Sequence, residues 1–113
     1  MCGLAGFITA PANPIELTTI TKKMVGMIAH RGPDDNGVWV DEKCQIALGH
    51  QRLSILDLSS AGHQPMHSAC DRFVMVFNGE IYNHLAIRSK LQATSQESLE
   101  WRGHSDTETL LAA

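Results

Sequence analysis

Four short β-compatible runs, residues 38–40, 45–49, 53–56 and 73–77, are separated by polar or glycine-containing segments. That spacing constrains the fold most, because runs this short and close suit antiparallel pairing, whereas parallel strands need longer crossovers. A further apolar run at 3–9, ahead of Pro11 and Pro14, reads as a buried strand that starts directly behind Cys2. Helical periodicity frames the strands. Leu17, Ile20, Met24, Met27 and Ile28 recur at steps of three and four, predicting a helix over 17–30 with that stripe in the core. Ile81, Leu85 and Leu91 predict a second helix after Asn78-Gly79. S-D-T-E at 105–108 predicts a third, in which Ser105 and Glu108 form a reciprocal capping box. Strands and helices in this order define an α+β chain of one domain at most.

Between these elements, R-G-P-D-D-N-G at 31–37 carries two turn signals and predicts a rigid polar loop. Residues 57–71 are expected to form the longest loop and 94–104 an exposed connector. The last helix ends in Leu-Leu-Ala-Ala without a cap, so residues 1–113 are expected to be part of a larger protein.

Charge and composition narrow the partners. Nine Lys plus Arg against twelve Asp plus Glu give a net charge of -3 without a basic run, which argues against nucleic acid and anionic membranes. With no signal-peptide pattern and no long apolar run, a cytoplasmic location is expected. Cys2, Cys44 and Cys70 are odd in number and far apart, which suits neither a disulfide framework nor a thiolate zinc site. H-Q-P-M-H at 63–67 offers two histidines four apart, but Pro65 denies them a shared helical face, so no metal is expected.

Four features bear on chemistry. Cys2 is either a small structural side chain or, once Met1 is removed, a nucleophile whose own α-amine serves as base, since that amine titrates at about 7.7–8.0. A chain retaining Met1 would carry its amine one residue away and be inactive. Asn78-Gly79 is either a hairpin turn or an oxyanion hole built from a side-chain amide and an unhindered N–H. Arg52 offers a planar fork for a carboxylate, although surface arginines often serve only solvation. Glu80 and Asp106 can share an ammonium group, the rival role for Asp106 being a first-turn charge on the helix dipole.

Taken in order, M-C-G-L-A-G-F, H-R-G-P-D-D-N-G, H-Q-R-L-S-I-L-D-L, G-H-Q-P-M, F-N-G-E-I-Y-N and G-H-S-D-T-E span nearly the whole chain. The set closely resembles the N-terminal glutaminase domain of asparagine synthetases, which are class II glutamine amidotransferases. The resemblance implies an N-terminal nucleophile hydrolase fold, an αββα sandwich of two antiparallel sheets. Here it is expected to be incomplete, because relatives continue the domain and then add an ATP-dependent synthetase domain that is absent from this chain.

By the same resemblance Cys2 is the nucleophile and its freed amine the base, while Asn78 and the Gly79 N–H hold the oxyanion. Arg52 takes the α-carboxylate of L-glutamine, Glu80 and Asp106 take its α-ammonium, and the backbone of 53–55 lines the pocket. The partner is the synthetase domain of the same polypeptide; ATP and Mg are expected only there, with no cofactor in this part. Asparagine is the implied product, although relatives that amidate sugars for surface polysaccharides share a similar first domain. A non-catalytic fold fragment or glutamine-binding module is a second reading. A cysteine hydrolase with a separate histidine base is a third, unsupported by any Cys-His spacing. Sheet edges left open would favour a homo-oligomer.

Overall fold

The structure is a computed structural model that describes residues 1–11, 13–55, 57–95 and 98–113. Its centre is a three-stranded antiparallel sheet of β1 (Gly3–Ile8), β2 (Asp35–Asp41) and β3 (Ile46–Arg52), in the order β1-β3-β2. Gly3 pairs with Gln51 and Asp35 with Arg52, so Cys2, Asp35 and Arg52 lie together at one end of the sheet. The β2–β3 hairpin closes where the Asp41 carboxylate accepts from the Lys43 and Cys44 N–H groups at 2.8 and 2.9 Å. This is a side-chain mimic of a backbone turn.

Helix α1 (Pro14–Met27) starts earlier than its periodicity predicts. Asn13 caps it, accepting from the Ile15 N–H at 3.0 Å, and Pro14 in the first turn forfeits only an N–H that has no helical partner. The buried stripe is Leu17, Thr21 and Val25, not the expected methionine-rich one: Ile20 is half-exposed and Met27 largely exposed. Gly49 on β3 explains the rotation, because the Val25 and Thr21 side chains occupy the space a Cβ there would fill. Thr21 tolerates complete burial by donating its hydroxyl to the Leu17 carbonyl at 2.7 Å. Since Gly49 faces α1, the alternation of β3 turns His50 and Arg52 together to the other face of the sheet, away from the helix.

Several expectations at element level are corrected. The turn signal Asn36-Gly37 lies inside β2. Gly37 is there for close approach, since a Cβ would fall 2.8 Å from the His63 ring and also strike the Gln64 carbonyl. Residues 53–55 do not form a strand, and Leu56 lies outside the described residues. Their donors are taken elsewhere: the Leu53 N–H by the Cys2 sulfur and the Ser54 N–H by Asp34 Oδ2 at 2.7 Å. The expected loop 57–71 contains a 3₁₀ turn at Ser60–Gly62 and β4 (Met66–His67), which pairs with β5 (Val74–Met75) in a second small sheet.

Helices α2 (His84–Thr94) and α3 (Asp106–Ala112) complete the α+β architecture, so Asn78-Gly79 leads to a helix and not to a hairpin. With sheets of three and two strands among the described residues, the fold is a partial form of the expected sandwich. Half of the predicted capping box is present: Ser105 Oγ accepts from the Glu108 N–H at 3.2 Å. Glu108 does not reach back to Ser105. Its carboxylate accepts instead from the Arg102 and Gly103 N–H groups at 2.7 and 3.0 Å and pairs with Arg88 at 3.3 Å. Residues 101–104 are therefore pinned and are not a loose connector, while Gln96 and Glu97 of that stretch lie outside the described residues.

Candidate active site

Cys2, Arg52, Leu53, Ile55, Gly79, Glu80 and Asp106 line one pocket, together with Asp57, Gly62, Gln64, Phe77, Ser105 and Thr107. The start of β1, the end of β3, the segment after β5 and the start of α3 thus converge on a single concave site. Asn78 is the exception among the residues singled out above. It is exposed and absent from the lining, although Phe77 and Gly79 on either side of it belong to the wall.

Cys2 is half-buried. Its sulfur receives the Leu53 N–H at 3.3 Å, and its thiol faces the Leu53 carbonyl at 3.6 Å. That N–H fixes the side-chain direction and stays in place to solvate the sulfur once its proton leaves. Met1, whose removal would free the Cys2 amine, is 74% exposed. No histidine lines the pocket among the described residues, which counts against a Cys-His hydrolase.

Arg52 is buried, with 7% of its surface exposed. Nη1 donates to the Ser59 carbonyl at 2.8 Å and Nη2 to the Asp57 carbonyl. Among the described residues these two bonds leave three of the five guanidinium N–H groups for a ligand, enough for a bidentate carboxylate. Gly62 permits this placement, because a Cβ there would overlap the guanidinium. The glycine of G-H-Q-P-M thus serves the arginine of R-L-S-I-L-D. On the same strand His50 is fully buried, and that burial outweighs the opposing influence of the Phe77 backbone and pushes its pKa down, so it is a neutral imidazole.

Asp106 is buried at the first turn of α3, and its Oδ2 accepts from the Ile81 N–H at 2.8 Å. This bond ties α3 to the chain just beyond Glu80. Glu80 is exposed at the pocket rim. Gln64, after which the bond to Pro65 is cis, bridges the floor: its Oε1 accepts from the Phe77 N–H at 2.6 Å and its Nε2 donates to Thr107 Oγ1 at 3.3 Å.

Sequence reasoning missed Asp57 and Gln64. Asp57 Oδ1 accepts from the Ser59 hydroxyl and N–H at 2.6 and 2.8 Å, and Oδ2 from the His104 N–H at 2.7 Å. The Ser59 hydroxyl first, then the His104 N–H, hold its pKa down at about 2. The carboxylate is therefore ionised throughout the physiological range. The only available signal was its place in a quoted motif, which does not reveal a partner 47 residues away. The two histidines of H-Q-P-M-H serve different neighbours: His63 Nδ1 lies 2.6 Å from Asp35 Oδ2, and the His67 ring stands edge-on to Trp39. Among the described residues no cluster of three or more potential metal ligands occurs, and no helix is long and apolar enough to cross a membrane.

A half-buried cysteine at position 2, a buried arginine and a buried carboxylate thus line one pocket. The chain belongs to the glutamine amidotransferase domain family, which it matches over residues 1–113. It is 40% identical to asparagine synthetase [glutamine-hydrolyzing] 1 of Bacillus subtilis over 99% of its length, covering 17% of that protein. A putative asparagine synthetase [glutamine-hydrolyzing] of Mycobacterium tuberculosis is 37% identical over 99% of the chain and 19% of the relative. Amidase chry2 of Gibberella zeae is 35% identical, over 99% and 17% respectively. The chain thus spans about one-fifth of the length of the curated relatives it matches.

Proposed function

We propose that this chain hydrolyses L-glutamine to L-glutamate and ammonia through a thioester on Cys2, and that the ammonia feeds an ATP-dependent synthetase domain, with asparagine as the product. The observation that carries the proposal is the convergence of Cys2, Arg52, Gly79, Glu80 and Asp106 on one pocket from four separate segments. The names of the bacterial relatives, which describe glutamine-hydrolysing asparagine synthetases, support the choice of substrate and product.

After removal of Met1, the Cys2 amine takes the thiol proton and the thiolate attacks the side-chain amide carbon of glutamine. Negative charge gathers on the former carbonyl oxygen, where the Gly79 N–H and an inward-turned Asn78 amide receive it. Collapse expels ammonia as the amine returns the proton, leaving a glutamyl thioester. Water, deprotonated by the same amine, then adds to the thioester, and the thiol leaves as glutamate forms. Arg52 holds the α-carboxylate, and Asp106 with Glu80 holds the α-ammonium, which fixes the distance from the backbone of the substrate to its reacting carbon.

Nucleophile, base and oxyanion donors all come from this chain. ATP and Mg belong to the synthetase domain, and the setting is the cytoplasm. The test is an alanine inserted between Met1 and Cys2, which leaves the thiol in the chain but places the free amine on another residue. Glutaminase activity is expected to fall at least about 100-fold, the lower range for a positioned acid–base group. Mass analysis of the terminus confirms which residue leads. Undiminished activity in the inserted variant would remove the amine from the mechanism.

A further inference from the structure

Asp57 stands between the two charged ends of the pocket. Its main-chain carbonyl accepts from Arg52 Nη2, and the carbonyl of Ser59, whose hydroxyl and N–H both bond the Asp57 carboxylate, accepts from Arg52 Nη1. The other carboxylate oxygen receives the His104 N–H at 2.7 Å, two residues before Asp106. Asp57 is itself buried, with 6% of its surface exposed. A Cβ at Gly103 would fall 2.5 Å from Asp57 Oδ2, so the 103–104 backbone is seated directly on this carboxylate.

We infer that Asp57 is a positioning residue for substrate specificity, setting the separation between Arg52 and Asp106 so that the site accepts a free α-amino acid and rejects amides lacking either charge. The inference rests on the proposed glutaminase reading and deepens it. The physical argument is geometric. Arg52 ends a strand, whereas Asp106 begins a short helix that follows an irregular segment, so no secondary structure links them. Without a tether their separation would vary with every motion of residues 101–105. One carboxylate accepting from both sides removes that freedom, and charge-assisted bonds are about twice as strong as neutral ones. Arg88 and Glu108 brace the same segment, and Gln64 ties Thr107 to the Phe77 N–H, but none of these side chains bonds a group that holds Arg52.

The variant that tests this is Asp57→Asn. An amide has one acceptor oxygen; with that oxygen kept on the Ser59 N–H, its NH₂ faces the His104 N–H and the second tether is lost. KM for L-glutamine is expected to rise at least about tenfold while kcat stays within about threefold, because the reacting carbon, Cys2 and Gly79 are untouched. Preference for L-glutamine over its analogue lacking the α-amino group, 4-carbamoylbutanoate, is expected to drop by a similar factor. A merely destabilised fold would lower the active fraction for both substrates alike and leave that ratio unmoved.

Ser59→Ala removes only the 2.6 Å hydroxyl bond and serves as the milder variant if Asp57→Asn does not fold. It should shift KM and preference in the same direction by a few-fold. Parent enzyme active on glutamine, with KM and preference unchanged in the folded variants, would overturn the role of Asp57. A processed parent inactive on glutamine would instead overturn the glutaminase reading itself.

Discussion

Replacing Cys2 with alanine is expected to lower glutamine hydrolysis about 10⁴-fold or more, to background, while glutamine still binds. The size of the loss follows from what else lines the pocket. Among the described residues Ser105 is the one serine of the lining, and its hydroxyl oxygen is engaged as the cap that accepts from the Glu108 N–H. Thr107, the one threonine, accepts from Gln64 Nε2. Both hydroxyl oxygens are engaged and no histidine lines the wall among the described residues, so no residue of the wall takes over as nucleophile. Binding persists because Arg52 and Asp106, which hold the two charges of the substrate in the proposed complex, are fixed by bonds to Ser59, Asp57 and Ile81 and not to Cys2. Calorimetry of the variant with glutamine, run beside a glutamate assay, checks both halves. Residual turnover within tenfold of the parent would contradict the assignment.

The second large effect is on stability. Arg88→Ala is expected to cost about 3–5 kcal/mol, the range for breaking a buried ion pair from one side. Arg88 donates from Nε to Thr109 Oγ1 at 2.7 Å, from Nη1 to the Gly103 carbonyl and from Nη2 to the Ser105 carbonyl, both at 2.8 Å. Nη2 also meets Glu108 Oε2 at 3.3 Å, and the guanidinium lies 4.1 Å above the Trp101 ring. With 8% of the Glu108 side chain exposed, truncation leaves a buried carboxylate whose remaining cation among the described residues is the outer Arg102, 51% exposed. Two carbonyls lose a donor at the same time, each an added cost when buried. Arg88→Lys should recover little, since a single ammonium lacks the fork that reaches four acceptors. Denaturant titration measures the change; a loss under about 1 kcal/mol would show the network to be weak.

Much of the site was readable as residue types in order, because each carries chemistry that few others supply. The thiol behind Met1, the planar fork of Arg52 and the acid at the start of α3 could be named without coordinates, and the structure brings all three to one pocket. The tethers were less legible. Asp57 sits in a quoted motif, yet its meaning depends on the His104 N–H, a contact no periodicity encodes. Periodicity also misjudged α1. Apolar spacing selected Met24 and Met27, but the flat backbone over Gly49 drew Thr21 and Val25 inward, since tertiary packing outweighs a stripe's composition. Asn36-Gly37 misled for a similar reason: Gly37 serves close approach by His63 and Gln64, and local pattern cannot distinguish that use from a turn. Asn78 was legible as an amide beside an open N–H, whereas its exposure and its absence from the lining were not.

The central claim is that the leading thiol is the attacking group, and the protein supplies its own controls. Cys44 and Cys70 are exposed while Cys2 is half-buried. The Ser68 hydroxyl, then the Arg72 N–H, lower the pKa of Cys70, so unselective alkylation should favour that thiol. Treating the protein, with Met1 removed, with a diazoketone analogue of glutamine and mapping the adduct by peptide mass spectrometry puts the two tendencies in competition. One equivalent on the sulfur of Cys2, suppressed by excess glutamine, is the predicted result. An unmodified Cys2 with label on Cys70 or Cys44 would contradict the account.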